Sequence, residues 1–199
     1  MKLGFLASNS GSSLRAIVAA IEAGELAAEA RLVVSNKSGA PALAFAAEHG
    51  IPTRVIPTAR SPERADGQLA EALEEAGVEL VILSGYLRKL GPITLTAFRN
   101  RILNIHPALL PRHGGPGMYG RRVHEAVLGA GDSISGATVH LVDAEYDRGQ
   151  VVARAEAPVL PGDSAADLER RVTGVEPGLF VATLQGLTLG TLRLPEAVT

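Results

Sequence analysis

The chain has 199 residues, a formal net charge of −2, 46% hydrophobic and 20% charged residues, and no cysteine. The length suits one domain with a sizeable core, and the charge gives no basic field for a nucleic-acid backbone. Without thiols, disulfides, thiolate catalysis and cysteine-based zinc sites are excluded.

The N-terminal run 2–7, KLGFLA, reads as a short buried strand. It turns polar too soon for a secretory core, and no run reaches the roughly 18 apolar residues of a membrane span. A cytoplasmic location is expected. A helix follows, with Leu14, Ile17, Val18 and Ile21 at helical spacing and Gly24 as its stop. Residues 30–35 read as strand, 40–50 as helix and 53–57 as a short strand. Ser61 and Pro62 open a helix over 61–77. Residues 78–85 form the most apolar strand, and 100–105 another. Such nearly continuous apolar strands, alternating with helices, predict a mostly parallel sheet covered on both faces. Residues 120–131 read as helix, and 135–143 with 150–159 as an antiparallel hairpin. Residues 164–187 read as a helix bent near Pro177, and 191–195 as a closing strand. No linker, repeat or low-complexity tract interrupts the chain, so 1–199 is expected to be a single domain.

Ligands bind beyond the carboxyl ends of parallel strands in open α/β sheets. Three segments lie there. In SNSGSS (8–13) small residues let backbone amides face an anion at a helix N-terminus, with phosphate the natural guest. The same serines also suit simple helix capping. In SGYLRKLGP (84–92) Gly85 permits close approach, while Leu87 and Leu90 offer an apolar wall; taken alone, the segment reads as an ordinary strand-to-helix connection. In ILNIHPALLP (102–111), strand alternation puts Asn104 and His106 on one face, with Pro107 and Pro111 stiffening the exit. An imidazole suits proton transfer near neutral pH, and an amide can donate to an oxygen that becomes negative. The plainer reading is a buried pair that satisfies loop backbone. DAEYDRGQ (143–150) supplies Asp143, Glu145 and Asp147, either as a partner for His106 or as a solvated acidic turn. GPGMYG (115–120) matches G-x-G-x-x-G but follows a proline-bearing loop rather than a strand, so a dinucleotide site is not expected. The histidines show no H-x-x-x-H pair, and no metal site is expected.

Taken together, SNSGSSLRAI, VILSGYLRKLGP, ILNIHPALLP and HLVDAEYDRGQVV resemble, in order and spacing, the phosphoribosylglycinamide formyltransferases of the formyltransferase family. The likeness covers nearly the whole chain. It implies a single-domain Rossmann-like formyltransferase fold with a C-terminal antiparallel hairpin. It implies transfer of a formyl group from 10-formyltetrahydrofolate, as co-substrate, to the primary amine of glycinamide ribonucleotide in purine biosynthesis. Asn104, His106 and Asp147 match the catalytic residues. Gly11, Ser12, Ser13, Gly85, Pro107 and Glu176 match the ribonucleotide site. Arg64, Leu87, Arg88, Lys89, Leu90, Asn104, Asp143, Ala144, Glu145 and Tyr146 match the folate site. The implied partners are small molecules only, with no nucleic acid or membrane, and the implied assembly is a monomer or homodimer. Ser13 stands where many relatives carry Asn, and Thr173 and Pro177 replace bulkier polar residues around Glu176. The nearest alternatives are a formyltetrahydrofolate hydrolase and a methionyl-tRNA formyltransferase, each expected to carry a further domain. A non-catalytic nucleotide or folate binder is another.

Overall fold

A computed structural model describes residues 1–195. Its strands are β1 (Lys2–Leu6), β2 (Glu29–Ser35), β3 (Thr53–Val55), β4 (Leu80–Leu83), β5 (Ile102–His106), β6 (Ile134–Leu141) and β7 (Val151–Pro158). Its helices are α1 (Ser12–Glu22), α2 (Pro41–Glu48), α3 (Pro62–Glu75), α4 (Pro92–Ala97), α5 (Arg121–Gly129) and α6 (Ala165–Thr188). The strands make one sheet in the order β3-β2-β1-β4-β5-β6-β7. Pairing is parallel from β3 to β5, then antiparallel at β5–β6 and β6–β7.

The apolar runs are continuous because both sheet faces are covered. Leu3 and Phe5 of β1 and Leu80 and Ile82 of β4 pack with α1, α2 and α6 through Leu14, Ile17, Phe45 and Phe180. The alternate residues Leu6, Val81 and Leu83 pack with Leu69 and Leu73 of α3 and with Phe98. Gly4 is needed on that second face, because a Cβ there would lie 2.8 Å from a Leu73 methyl carbon. A third cluster joins Val127 of α5, Ala137 and Ala157 of the hairpin, and Leu168 and Val172 of α6.

Two elements differ from the sequence reading. Residues 191–195 form no strand. The chain turns at Gly190 (φ 72°), and Leu192 N–H donates to Gly186 O, so this segment closes the end of α6 instead. The helix α4 follows the 84–92 connection, and the sequence pattern sets no bounds for it. Six residues are too few to show a helical period, and α4 is held from outside by Asp66 of α3, which accepts from Ile93 N and Thr94 N. Pro177 lies inside α6, which runs unbroken from Ala165 to Thr188.

Candidate active site

Strands β1, β4 and β5 run parallel, so they end on the same edge of the sheet. The strand order reverses between β1 and β4, and such a switch point leaves a crevice between the connections that follow the two strands. Hydrogen bonds tie those connections together. Ser8 N donates to Gly85 O (3.2 Å), Leu87 N to Ser8 Oγ (2.9 Å) and Leu14 N to Ser84 Oγ (2.9 Å). Gly11, at φ 66°, turns the chain into α1, a conformation that strains any residue with a Cβ.

On β5, Leu103 and Ile105 pack into the core with Val139, while Asn104 and His106 take the opposite face. Asn104 pairs in register with His140 of β6, and His106 with Thr138. Thr138 Oγ1 donates to Ala108 O (2.6 Å) and accepts from Leu110 N (3.1 Å), which pins the loop leaving β5. The β6–β7 connection turns back over this face and delivers Asp147. Its return requires Gly149, because a Cβ there would lie 1.8 Å from Leu141 O.

The imidazole of His106 is 3% exposed. Its Nε2–H donates to His113 O (2.8 Å), and its Nδ1 lies 3.5 Å from Asp147 Oδ2. Asp147 Oδ2 accepts from Gly115 N (3.0 Å), and Oδ1 lies 3.6 Å from His140 Nε2. His140 Nδ1–H donates to Leu141 O (2.8 Å). In the neutral ring Nε2 therefore carries a lone pair, which accepts from Asn104 Nδ2 at 3.1 Å. That contact orients the Asn104 amide and leaves its second hydrogen for an oxygen in the crevice. Burial holds both His106 and His140 below the ordinary histidine value, and for His106 the Asp147 carboxylate and the His113 carbonyl pull the other way. For His106 the effect of burial is larger than that of the carboxylate.

Two cavities meet at Asn104. One of about 600 Å³ is lined by Gly85, Leu87, His106, Pro107, Asp147 and the glycine-rich segment 115–120. A smaller one of about 100 Å³ is lined by Lys89, Leu90, His140 and residues 143–147. Tyr86, Arg88, Asn104, Tyr146 and Asp147 line both. Lys89 Nζ sits 5.6 Å from the Tyr146 ring centre, linking the two loops of the smaller cavity. All the folate-site expectations except Arg64 line one cavity or the other, as do Gly85 and Pro107. Arg64 lies on the exposed side of α3 and lines neither. Gly11, Ser12, Ser13 and Glu176 also line neither; Ser13 is buried and Ser12 exposed. Burial pushes the Glu176 carboxyl up to about 7. Among the described residues no cluster of His, Asp or Glu could hold a metal ion.

The sequence reading missed His140, His113 and Gly115. The two histidines were weighed only as metal ligands, and Gly115 only as part of a glycine motif. The signal for His140 is the antiparallel register that sets it opposite Asn104, which no local pattern encodes.

The sequence profile of the family described as formyl transferase matches residues 1–184. The chain belongs to the formyl transferase family. Among curated relatives, the Arabidopsis thaliana chloroplastic phosphoribosylglycinamide formyltransferase is 42% identical over 185 residues, which cover 90% of this chain and 63% of the relative. The Haemophilus influenzae phosphoribosylglycinamide formyltransferase is 34% identical, over 98% of this chain and 91% of the relative. The crystal structure of glycinamide ribonucleotide transformylase 1 from Symbiobacterium toebii superposes with a TM-score of 0.89 at 34% identity, over 98% of this chain and 91% of that one. The chain spans 60% and 63% of the length of the curated plant relatives it matches. Among the described residues, no helix is long and apolar enough to cross a membrane.

Proposed function

We propose that the protein transfers the formyl group of 10-formyltetrahydrofolate to the primary amine of glycinamide ribonucleotide. One observation carries this reading: Asn104 and His106 at the end of β5 and Asp147 from the β6–β7 connection line one crevice, at the sheet edge where a small-residue loop leads into a helix N-terminus. The substrate amine is itself the nucleophile, so no serine or cysteine nucleophile is required.

The amine nitrogen attacks the formyl carbon, forming a C–N bond and a tetrahedral centre whose oxygen becomes negative. The second N–H of Asn104 and the His106 ring stabilise that oxygen, each by a few kcal/mol at most. Negative charge arriving beside His106 offsets the cost of burial and favours its protonated form. The bond from carbon to N10 then breaks with its electrons going to nitrogen. The amine gives up a proton and N10 takes one, with Asp147 as the adjacent acceptor. The products are the formylated amide and tetrahydrofolate.

In this reading Gly11, Ser12 and Ser13 receive the ribonucleotide phosphate through backbone amides, and Gly85 and Pro107 border its glycinamide arm. Glu176 meets the ribose. Residues 87–90 and 143–146 hold the folate, with Arg64 as a further contact. The protein works in the cytoplasm on small molecules, as a monomer or homodimer.

The test is formyl transfer measured with purified protein and glycinamide ribonucleotide. Asn104→Ala, His106→Ala and Asp147→Asn should each lower kcat by about 10²–10⁴ while KM changes little. A His106→Ala protein with full turnover would overturn the mechanism. Folate release that proceeds equally without the ribonucleotide would identify a hydrolase instead.

A further inference from the structure

Two of the three groups at the reaction centre, His106 and Asp147, are held by one short segment, residues 113–115. His113 O accepts from His106 Nε2–H at 2.8 Å, and Gly115 N–H donates to Asp147 Oδ2 at 3.0 Å. Between them, Gly114 allows the close approach, since a Cβ there would lie 2.4 Å from Leu110 Cδ2 and 3.2 Å from Asp147 Cβ. His113 itself stands at φ 54°, a left-handed conformation that costs a residue with a Cβ about 1 kcal/mol. A strained turn of this kind persists only where something outside it fixes it.

That fixture is a second cluster, on the far side of His113 from the crevice. The His113 ring Nε2 lies 2.7 Å from Asp132 Oδ2, and the other carboxylate oxygen lies 2.6 Å from Arg112 Nη2. Asp132 sits in the connection between α5 and β6, so the pair ties the catalytic loop to a different part of the fold. The His113 and Asp132 side chains are 14% and 12% exposed, so the contact is well shielded from solvent. The His113 and Arg112 contacts hold the Asp132 carboxyl below the usual carboxylate value.

We infer that Arg112, His113 and Asp132 form the positioning device of the reaction centre: by holding residues 113–115 they fix His106 as its Nε2–H tautomer and keep Asp147 facing its Nδ1. The consequence is directional. With Nε2–H committed to a backbone carbonyl, only Nδ1 is left to exchange protons, and Asp147 is the group beside it. The inference deepens the proposed formyl transfer and rests on it for its kinetic arm only. The other titratable groups acting on His106 and its loop are His124 of α5, His140 of β6 and Asp147, while Glu156 of β7 lines the cavity of about 240 Å³ that borders Asp132 and His113.

The test combines histidine ¹⁵N NMR with kinetics on the wild type, Asp132→Ala, Asp132→Asn and His113→Asn. The asparagine at 113 keeps the carbonyl and tolerates a left-handed backbone but cannot reach Asp132. The wild type should show His106 as a single Nε2–H tautomer. In Asp132→Ala and His113→Asn that tautomer should become mixed and the His106 midpoint should fall, because the carbonyl that favours its charged form is no longer held in place. In both, kcat should fall by roughly 10–30-fold with both KM values within about threefold. Asp132→Asn still accepts from His113 and should recover to within about threefold of wild type. A wild-type His106 protonated on Nδ1 when neutral would overturn the inference. So would a fall in kcat with the His106 tautomer and midpoint unchanged, since that reports general loosening. If Asp132→Ala does not fold, the wild-type tautomer and His113→Asn decide the matter. The NMR arm needs no substrate, so it stands or falls apart from the identity of the formyl acceptor.

Discussion

At the residue scale, burial acts on the imidazoles that the centre uses as fixed partners. His140 and His106 are both buried imidazoles lowered by desolvation and both lie near Asp147, but His140 Nε2 accepts from the Asn104 amide while His106 Nε2–H donates to the His113 carbonyl. The first orients the Asn104 amide, and the second keeps its Nδ1 toward the carboxylate. Glu176 shows the same physics with the opposite sign. Its carboxyl is raised from 4.5 to about 7 by burial, so the folded state binds more protons than the unfolded state across that window. Stability contributed by the protonated form is therefore present below about 4.5 and lost as pH rises to about 7. Glu176→Gln removes this dependence. It should match the wild type at pH 4 and exceed it at pH 8 by on the order of 2 kcal/mol, read from urea unfolding at the two pH values. If Glu176 meets the ribose, the same variant should also raise KM for the ribonucleotide.

At the element scale, the short helix α4 shows how a site wall is built from distant sequence. Asp66, 7% exposed on α3, accepts from Ile93 N, Thr94 N and Thr94 Oγ1. A six-residue helix has no stability of its own, so this carboxylate supplies its start and thereby holds the end of the 84–91 loop that borders both cavities. Asp66→Ala leaves those donors without their acceptor and should cost about 2–3 kcal/mol. The loss is read from the denaturation midpoint, and an accompanying rise in KM for the folate would show that the loop has loosened. An unchanged midpoint would mean that α4 is held by its apolar contacts alone.

At the scale of the whole molecule, the parallel sheet and the antiparallel hairpin have separate jobs. The parallel strands deliver Gly85, Asn104 and His106 to one edge, and the hairpin carries Asp147 back over it. Gly149 is where that return is tightest. Gly149→Ala would force a Cβ to within 1.8 Å of Leu141 O and must displace the hairpin backbone. The expected cost is about 3 kcal/mol or more, a fall in Tm of roughly 6–12 °C for a chain of this size, with turnover lost in the folded fraction as Asp147 moves. A calorimetric scan alongside the activity assay checks both parts.

The sequence by itself determined the layered α/β plan, the hairpin, and the placing of Asn104 and His106 on one face, because strand alternation and helical spacing are local properties of the chain. The formyltransferase motifs were legible for the same reason: each is a short contiguous run. Only the tertiary structure decided that residues 191–195 close a helix rather than extend the sheet, that Asp66 starts α4, and that His140 and His113 attend the reaction centre. Those outcomes depend on strand register and on contacts between loops far apart in sequence. Nothing in the local pattern of hydrophobic and polar residues records which partner such a side chain will meet.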